Sequence, residues 1–343
     1  MKICYFGIYN PELGRNRIYI KGLVENGAEI IHCQNNSRGP LKFFNLFRKH
    51  WKIRNFYDAL IVGYPGHIVV WLAKLISSKP VIFDALCTME EGVVISRAEK
   101  GLKAFYVRLM DWLAVRCADY VLVESKAQKK FFEEKFGKNQ KYKVVYTGAD
   151  DSVFYPDPNV TKREKFTVVF RGKFLPESGI IEALETAKIL ENNEVEFLVI
   201  GNGFLDREVK KKLGELNLKN LELVSEFVPL DLLREKMLEC HISLGQLADH
   251  PRLLRTIPHK CFETLALGIP YITAKSKGVS EILTDGEDCL MTFPADPASL
   301  AEAIMNLKDD FDLREKVAKQ GHLIFLEKFT TKKLALEILN LLK

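Results

Sequence analysis

Phe166-Thr167-Val168-Val169-Phe170-Arg171-Gly172-Lys173-Phe174-Leu175-Pro176-Glu177-Ser178-Gly179 decides the fold. Its first five residues form a short, nearly continuous apolar run, the pattern of a strand buried on both faces. Gly172 lets the chain turn, and a helix is predicted over 178–191. The unit then repeats. Strands are predicted at 196–200, 221–224, 241–244 and 270–273, with helices at 205–216, 230–239 and 259–267 between them. Further helices are predicted at 297–307 and 311–320. Short apolar strands alternating with such helices predict an α/β architecture with a mostly parallel sheet covered on both sides.

Towards the N-terminus the same alternation appears. Residues 2–7, 28–33, 58–63, 81–84, 119–123 and 143–146 read as strands. Helices are predicted at 17–26, closed by Gly27, at 67–77, and as a long amphipathic element at 98–117. Between the halves, Asp150 to Asn159 is crowded with turn formers. The expected organisation is therefore two Rossmann-like domains, 1–162 and 163–325. A C-terminal helix at 326–343 carries Leu334, Ile338, Leu341 and Leu342 on helical spacing and is expected to pack back on the first domain. Two facing parallel sheets create a cleft, with ligands expected beyond the C-terminal strand ends.

At 343 residues the chain exceeds what one core usually serves. A 47% hydrophobic, 28% charged composition fits a soluble globular protein. No apolar run reaches the length of a membrane span. Met1 to Gly7 reads as a first strand rather than a secretory leader, so a cytoplasmic protein is expected. The seven cysteines show no CxxC pair and read as small core residues. Residues 1–160 carry 24 Lys and Arg against 16 Asp and Glu, whereas the remainder carries 26 against 29. The basic first half suits an anionic partner or surface, and nothing specifies nucleic acid.

Four segments follow strands and open helices. Arg171-Gly172-Lys173 leads into the 178–191 helix, whose N–H groups can face a phosphate; a generic loop with surface cations explains the same residues. Gly201-Asn202-Gly203 is a second such turn. Arg255 to Pro270 places Lys260 and Glu263 on one helix face. There the lysine can meet a diphosphate and the carboxylate can accept both hydroxyls of a ribose, or the two form a solvent-facing ion pair. Lys277-Gly278-Val279-Ser280-Glu281 reads either as a cap for phosphate or sugar hydroxyls or as a plain helix start. Neither GxGxxG nor GxxxxGK[ST] occurs, which disfavours nicotinamide enzymes and P-loop ATPases.

The order and spacing of these segments resemble the retaining glycosyltransferases of the GT-B fold, family 4 (glycosyl transferases group 1). Val144 to Asp150 with Phe154 and Pro156 resembles that family's entry into the interdomain linker. Gly172-Lys173 with Pro176-Glu177 and Gly179 resembles its phosphate loop; Phe262-Glu263 through Pro270 resembles its donor helix, and Gly278 to Glu281 with Asp285-Gly286 its last donor loop. The resemblance implies Glu263 on the ribose, Lys173 at the diphosphate-binding arginine's place, Gly278 and Val279 serving diphosphate and sugar, and Phe227 and Val228 near the base. Three positions depart from the family. Ser178 stands where a second basic residue is usual, Arg255 replaces the first of two glutamates eight positions apart, and Asp84 stands where a histidine follows the fourth strand. Arg171, Arg255 and Lys260 are candidates to restore positive charge, while Glu281 is a candidate for sugar hydroxyls. Asp84, His67 and Lys173 are the candidate catalytic residues.

These features imply transfer of a sugar, hexosyltransferase-like, from a UDP- or GDP-sugar to a glycan or lipid-linked acceptor, with retention. No cofactor or metal is expected, since no DxD triplet occurs and fixed cations can stabilise the departing diphosphate. The stretch Leu41 to Arg54 mixes aromatic and basic residues. It reads either as a helix on an anionic membrane surface or as a core-facing aromatic face with lysines outside. A nucleotide-sugar epimerase, a phosphorylase with a pyridoxal cofactor and a non-catalytic GT-B-fold binding protein are the alternatives. Oligomeric state, base, sugar and acceptor are left open by the sequence.

Overall fold

Each apolar run expected to be a strand pairs in parallel with its neighbours. In the computed structural model, which describes residues 1–342, β1 (Lys2–Gly7), β2 (Glu29–Gln34), β3 (Ala59–Val62), β4 (Val81–Leu86), β5 (Tyr120–Val123) and β6 (Tyr142–Val144) form one sheet in the order β2-β1-β3-β4-β5-β6. A second sheet contains β7 (Phe166–Arg171), β8 (Val195–Ile200), β9 (Leu221–Val224), β10 (Ile242–Leu244), β11 (Tyr271–Ala274) and β12 (Leu290–Thr292). Its order is β12-β11-β10-β7-β8-β9. Val168, Val169 and Phe170 are wholly buried, as continuous apolar strands must be when helices cover both faces. In the second sheet the direction of winding reverses between β7 and β10, the place where parallel sheets hold ligands.

The chain divides into one unit made of Met1–Gly148 and the chain from Phe329 onward, and another made of Ala149–Lys328. The boundary expected near 162 therefore falls inside the second unit. Residues after Gly148 belong there because they pack there: Arg234 pairs with Asp157 at 3.4 Å and lies 4.1 Å over the Tyr155 ring, and Phe154 is buried. The expected C-terminal helix is two elements. Residues up to Lys328 complete the helix Phe311–Lys328, and Thr331–Asn340 is a separate helix. That last helix lies against the helix Gly14–Glu25 of its own unit. Thr331 Oγ1 donates to Glu25 Oε2 at 2.6 Å and Asn26 Nδ2 donates to the Lys332 carbonyl at 2.8 Å. Lys343, the end of the expected helix, lies outside the described residues.

Among the elements the sequence reading omits are a helix and an edge strand. The helix Lys126–Phe136 is rich in charge but is started by Ser125, whose Oγ accepts from the Gln128 N–H at 2.8 Å. Strand β12 is three residues at a sheet edge. The helix expected at 98–117 runs over Gly101–Cys117 and is not amphipathic. Ala104, Val107, Ala114 and Val115 face the core, while Leu102, Phe105, Tyr106, Leu109 and Trp112 are exposed. All seven cysteines are free thiols, and all but Cys117 are buried.

Candidate functional site

The second unit's reversal point is built from loops that close on one another. After β7, Gly172 adopts φ 135°, and the space where its Cβ would stand is open. After β8, Gly201 adopts φ 155° and lies so close to the Gly172 carbonyl that a side chain there would strike it. The two phosphate-loop candidates are thus one surface. Lys173 is exposed on it and donates from Nζ to Asn202 Oδ1 at 2.8 Å; Asn202 Nδ2 donates in turn to the Ser225 carbonyl after β9 at 2.7 Å. The helix Ile180–Ile189 that follows has no side-chain cap, leaving its first N–H groups without that partner. Ser178 Oγ is buried with no hydrogen-bond partner.

The helix His259–Leu267 begins after Pro258, also without a side-chain cap. Its inner face carries the two residues singled out by spacing, but they do not pair with each other. Glu263 Oε2 pairs with Arg171 Nη2. Burial lowers the Arg171 pKa to about 10, so the guanidinium stays charged at neutral pH. Lys260 is buried: its Nζ donates to the Gly245 carbonyl after β10 at 2.8 Å and sits 4.1 Å over the Phe170 ring. Burial first, then nearby Arg171, push its pKa well below the usual lysine value. The solvent-facing Lys260–Glu263 ion pair is therefore replaced by an inward cluster of Arg171, Lys260 and Glu263 at the ends of β7 and β10.

The remaining candidates surround this cluster unevenly. Gly278 is pressed against the 255–256 turn, where a Cβ would lie 2.7 Å from the Thr256 carbonyl oxygen. Arg255 and the last donor-loop candidate thus adjoin. Val279 is buried, with its N–H 3.3 Å from Ser276 Oγ, and Glu281 is half-buried in the same short turn. Phe227 is almost fully exposed after β9, with Val228 half-buried beside it. Sequence reading does not anticipate the pair of buried Glu177 and half-buried Arg252, 2.5 Å apart, which ties the phosphate loop to the turn before residue 255. No local pattern links residues so distant in sequence.

In the first unit both catalytic candidates are enclosed. Asp84, at 0% exposure, accepts from Arg15 Nε at 2.7 Å, and Arg15 Nη1 donates to Thr147 Oγ1 at 3.2 Å. Burial raises the Asp84 pKa against the opposing pull of Arg15. Asp84 faces Arg15 rather than offering an open carboxylate to a sugar hydroxyl, and Arg15 was not anticipated. His67 is buried against the Phe83 ring at 4.9 Å and donates from Nε2 to the Cys87 carbonyl at 2.9 Å. Burial lowers its pKa to about 4, so the ring is neutral at pH 7. Neither side chain opens to solvent.

Comparison with known proteins bears on the second unit above all. The family described as "Glycosyl transferases group 1" matches residues 154–323. An alpha-D-kanosaminyltransferase of Streptomyces kanamyceticus is 23% identical over 45% of this chain and 39% of its own length. The capsular polysaccharide biosynthesis glycosyltransferase CapM of Staphylococcus aureus is 23% identical over 68% of this chain and 63% of its own. The chain thus spans only about two fifths to three fifths of the length of the curated relatives it matches. Among solved structures, Anabaena HepE in complex with UDP and glucose aligns with a TM-score of 0.78 at 18% identity, covering 100% of this chain and 99% of that one. Sucrose-phosphate synthase of Thermosynechococcus elongatus aligns with a TM-score of 0.78 at 16% identity, covering 99% and 98%. These likenesses show the fold, GT-B.

Proposed function

From a chain whose residues 154–323 belong to the glycosyl transferases group 1 family, we propose a glycosyltransferase that takes a sugar from a nucleotide-diphosphate donor and passes it to a glycan or lipid-linked acceptor. One observation carries the reading. The loops after β7, β8 and β10 gather Arg171, Lys173, the uncapped N-terminus of the helix Ile180–Ile189 and the Glu263 carboxylate at the sheet's reversal point. That is the inventory a nucleoside diphosphate requires: N–H groups and cations for phosphate, a carboxylate for vicinal hydroxyls.

Lys173 and the N-terminus of the helix Ile180–Ile189 take the diphosphate and stabilise the charge that develops as it departs. Glu263, oriented by Arg171, accepts from the ribose. Gly278 and Val279 contribute backbone N–H groups, Arg255 and Glu281 lie toward the sugar, and Phe227 and Val228 toward the base. The complexes of HepE with UDP favour UDP as the nucleotide. Hexosyl transfer with retention at the anomeric carbon, assisted by these fixed charges in place of a metal, completes the reading. Asp84, Arg15 and His67 act in the first unit as positioning groups.

Calorimetric titration of the purified protein with UDP and with GDP tests the proposal. Binding of one of them, weakened about tenfold or more by Glu263→Ala, is expected. Absence of heat with either nucleotide would overturn it.

A further inference from the structure

The helix Gly101–Cys117 is apolar on opposite sides. Ala104, Val107, Ala114 and Val115 recur at helical spacing and face the core; Leu102, Phe105, Leu109 and Trp112 recur on the far side and are exposed, Leu102 to 88% and Phe105 to 66%. A helix that is hydrophobic all round ordinarily has something covering both faces. The helix Leu41–Ile53 has the same construction. Leu46 and His50 are buried beneath it, while Leu41, Phe44, Phe47 and Trp51 are exposed. Phe44, Phe47, Arg48, Trp51 and Lys52 line a shallow hollow of about 280 Å³.

Both helices pack on one face of the first sheet. Leu46, Phe43, Ala114 and Val115 belong to a single apolar cluster with Val62, Phe83 and Val121 of its strands. Their outer stripes therefore project from the same side of the unit. This side is basic as well as apolar. Between Glu29 and Asp58 there is no acidic residue, while Arg38, Lys42, Arg48, Lys49, Lys52 and Arg54 all occur there. Lys100, Lys103, Arg108 and Arg116 accompany the second helix, whose Asp111 is buried; Lys103 pairs with Glu99 and Arg108 with Glu90, so the basic excess comes chiefly from the 38–54 stretch. Arg54 lies 3.8 Å over the Trp51 ring and Arg116 5.5 Å over that of Trp112.

We infer that these two helices form a docking face for an anionic lipid bilayer. Exposed Trp, Tyr and Phe with a basic surround is the composition that partitions into the headgroup region. Each Lys or Arg near an anionic leaflet adds to the attraction. A second copy of this chain is a poorer occupant, since a two-fold contact sets each patch against itself and would oppose basic helix to basic helix. The face goes beyond the donor reading. Its functional corollary, that the acceptor is the lipid-linked one, does rest on that reading.

The test is co-sedimentation of the full chain with phosphatidylcholine vesicles, with and without phosphatidylglycerol. Partners are the variants Lys49→Glu/Lys52→Glu and Phe105→Glu/Leu109→Glu, none of these four residues being among those assigned to the donor. Wild type is expected to pellet with the anionic vesicles and remain with the neutral ones in solution. Each double variant is expected to lose about tenfold or more in partitioning, with circular dichroism unchanged. Wild type left in the supernatant with anionic vesicles would overturn the inference. So would a dimer in light scattering that both double variants dissociate without affecting vesicle binding. UDP titration of the same proteins keeps the two readings apart, because loss of one binding activity leaves the other in place.

Discussion

Arg171, the last residue of β7, is paired with Glu263 in the helix that follows β10, although nothing in the local sequence links them. Both side chains are largely buried, at 16% and 12% exposure. Removing one partner leaves the other charge without compensation in a poorly solvated place, at a typical cost of 3–5 kcal/mol; partial exposure brings the expectation to about 3 kcal/mol. Arg171→Leu should therefore lower the urea midpoint of the second unit's unfolding. Arg171→Leu combined with Glu263→Leu should recover part of that loss. A double variant as unstable as the sum of the two singles would show that the pair does not couple.

Lys173 presents the opposite case. It is exposed and, among the described residues, held only by Asn202, so Lys173→Ala should leave thermal stability within about 0.5 kcal/mol of wild type. Its loss should weaken nucleoside diphosphate binding about tenfold, and the deficit should shrink as salt is raised, because an exposed cation is screened. Titration at two ionic strengths measures both effects.

The strands were legible because parallel strands are buried on both faces, and continuous runs such as Val168-Val169-Phe170 announce that without help from distant residues. The loops that hold the candidate site were legible for the same reason, since they had to follow those strands. Charge pairing was not. Lys260 and Glu263 share a helix face, yet Lys260 turns to the Gly245 carbonyl and Glu263 to Arg171, partners supplied by the sheet rather than the helix. The outer stripe of the helix Gly101–Cys117 lay in plain view in the sequence. It is hard to read there because two apolar faces at one period look like a single strong helical signal.

The enclosed ion pair of the first unit predicts a separable defect. Asp84→Ala strands Arg15, which donates also to the neutral Thr147 hydroxyl, and should destabilise the protein by about 3–5 kcal/mol. If Asp84 acts by positioning, UDP affinity in the folded variant should match wild type. A large rise in the UDP dissociation constant, with the melting temperature unchanged, would contradict that role.

His241 gives a dependence on pH with a definite sign. Its Nδ1 accepts from the Thr167 N–H at 3.1 Å, and its ring stacks on Phe166 at 4.7 Å. Burial, with Lys162 and Arg314 adding to it, lowers the pKa to about 4 from an unfolded value of 6.5. Between these values the unfolded chain binds the proton and the folded one does not, so stability is fully present above pH 6.5 and falls as pH drops towards 4. The ring is only half-buried, and solvent screening reduces the contribution to roughly 1–2 kcal/mol. His67 shifts the same way, but Asp111, 3.8 Å from its Nε2, is raised to about 7 and takes up in the folded state the proton that His67 refuses. Those two contributions oppose one another across the same interval, leaving His241 the clearer probe. His241→Asn keeps an acceptor for Thr167 and removes the titration. The difference in unfolding free energy between variant and wild type should therefore move in the variant's favour as pH is lowered from 7 to 4. A difference that stays constant over that range would mean His241 is protonated without penalty in the folded protein.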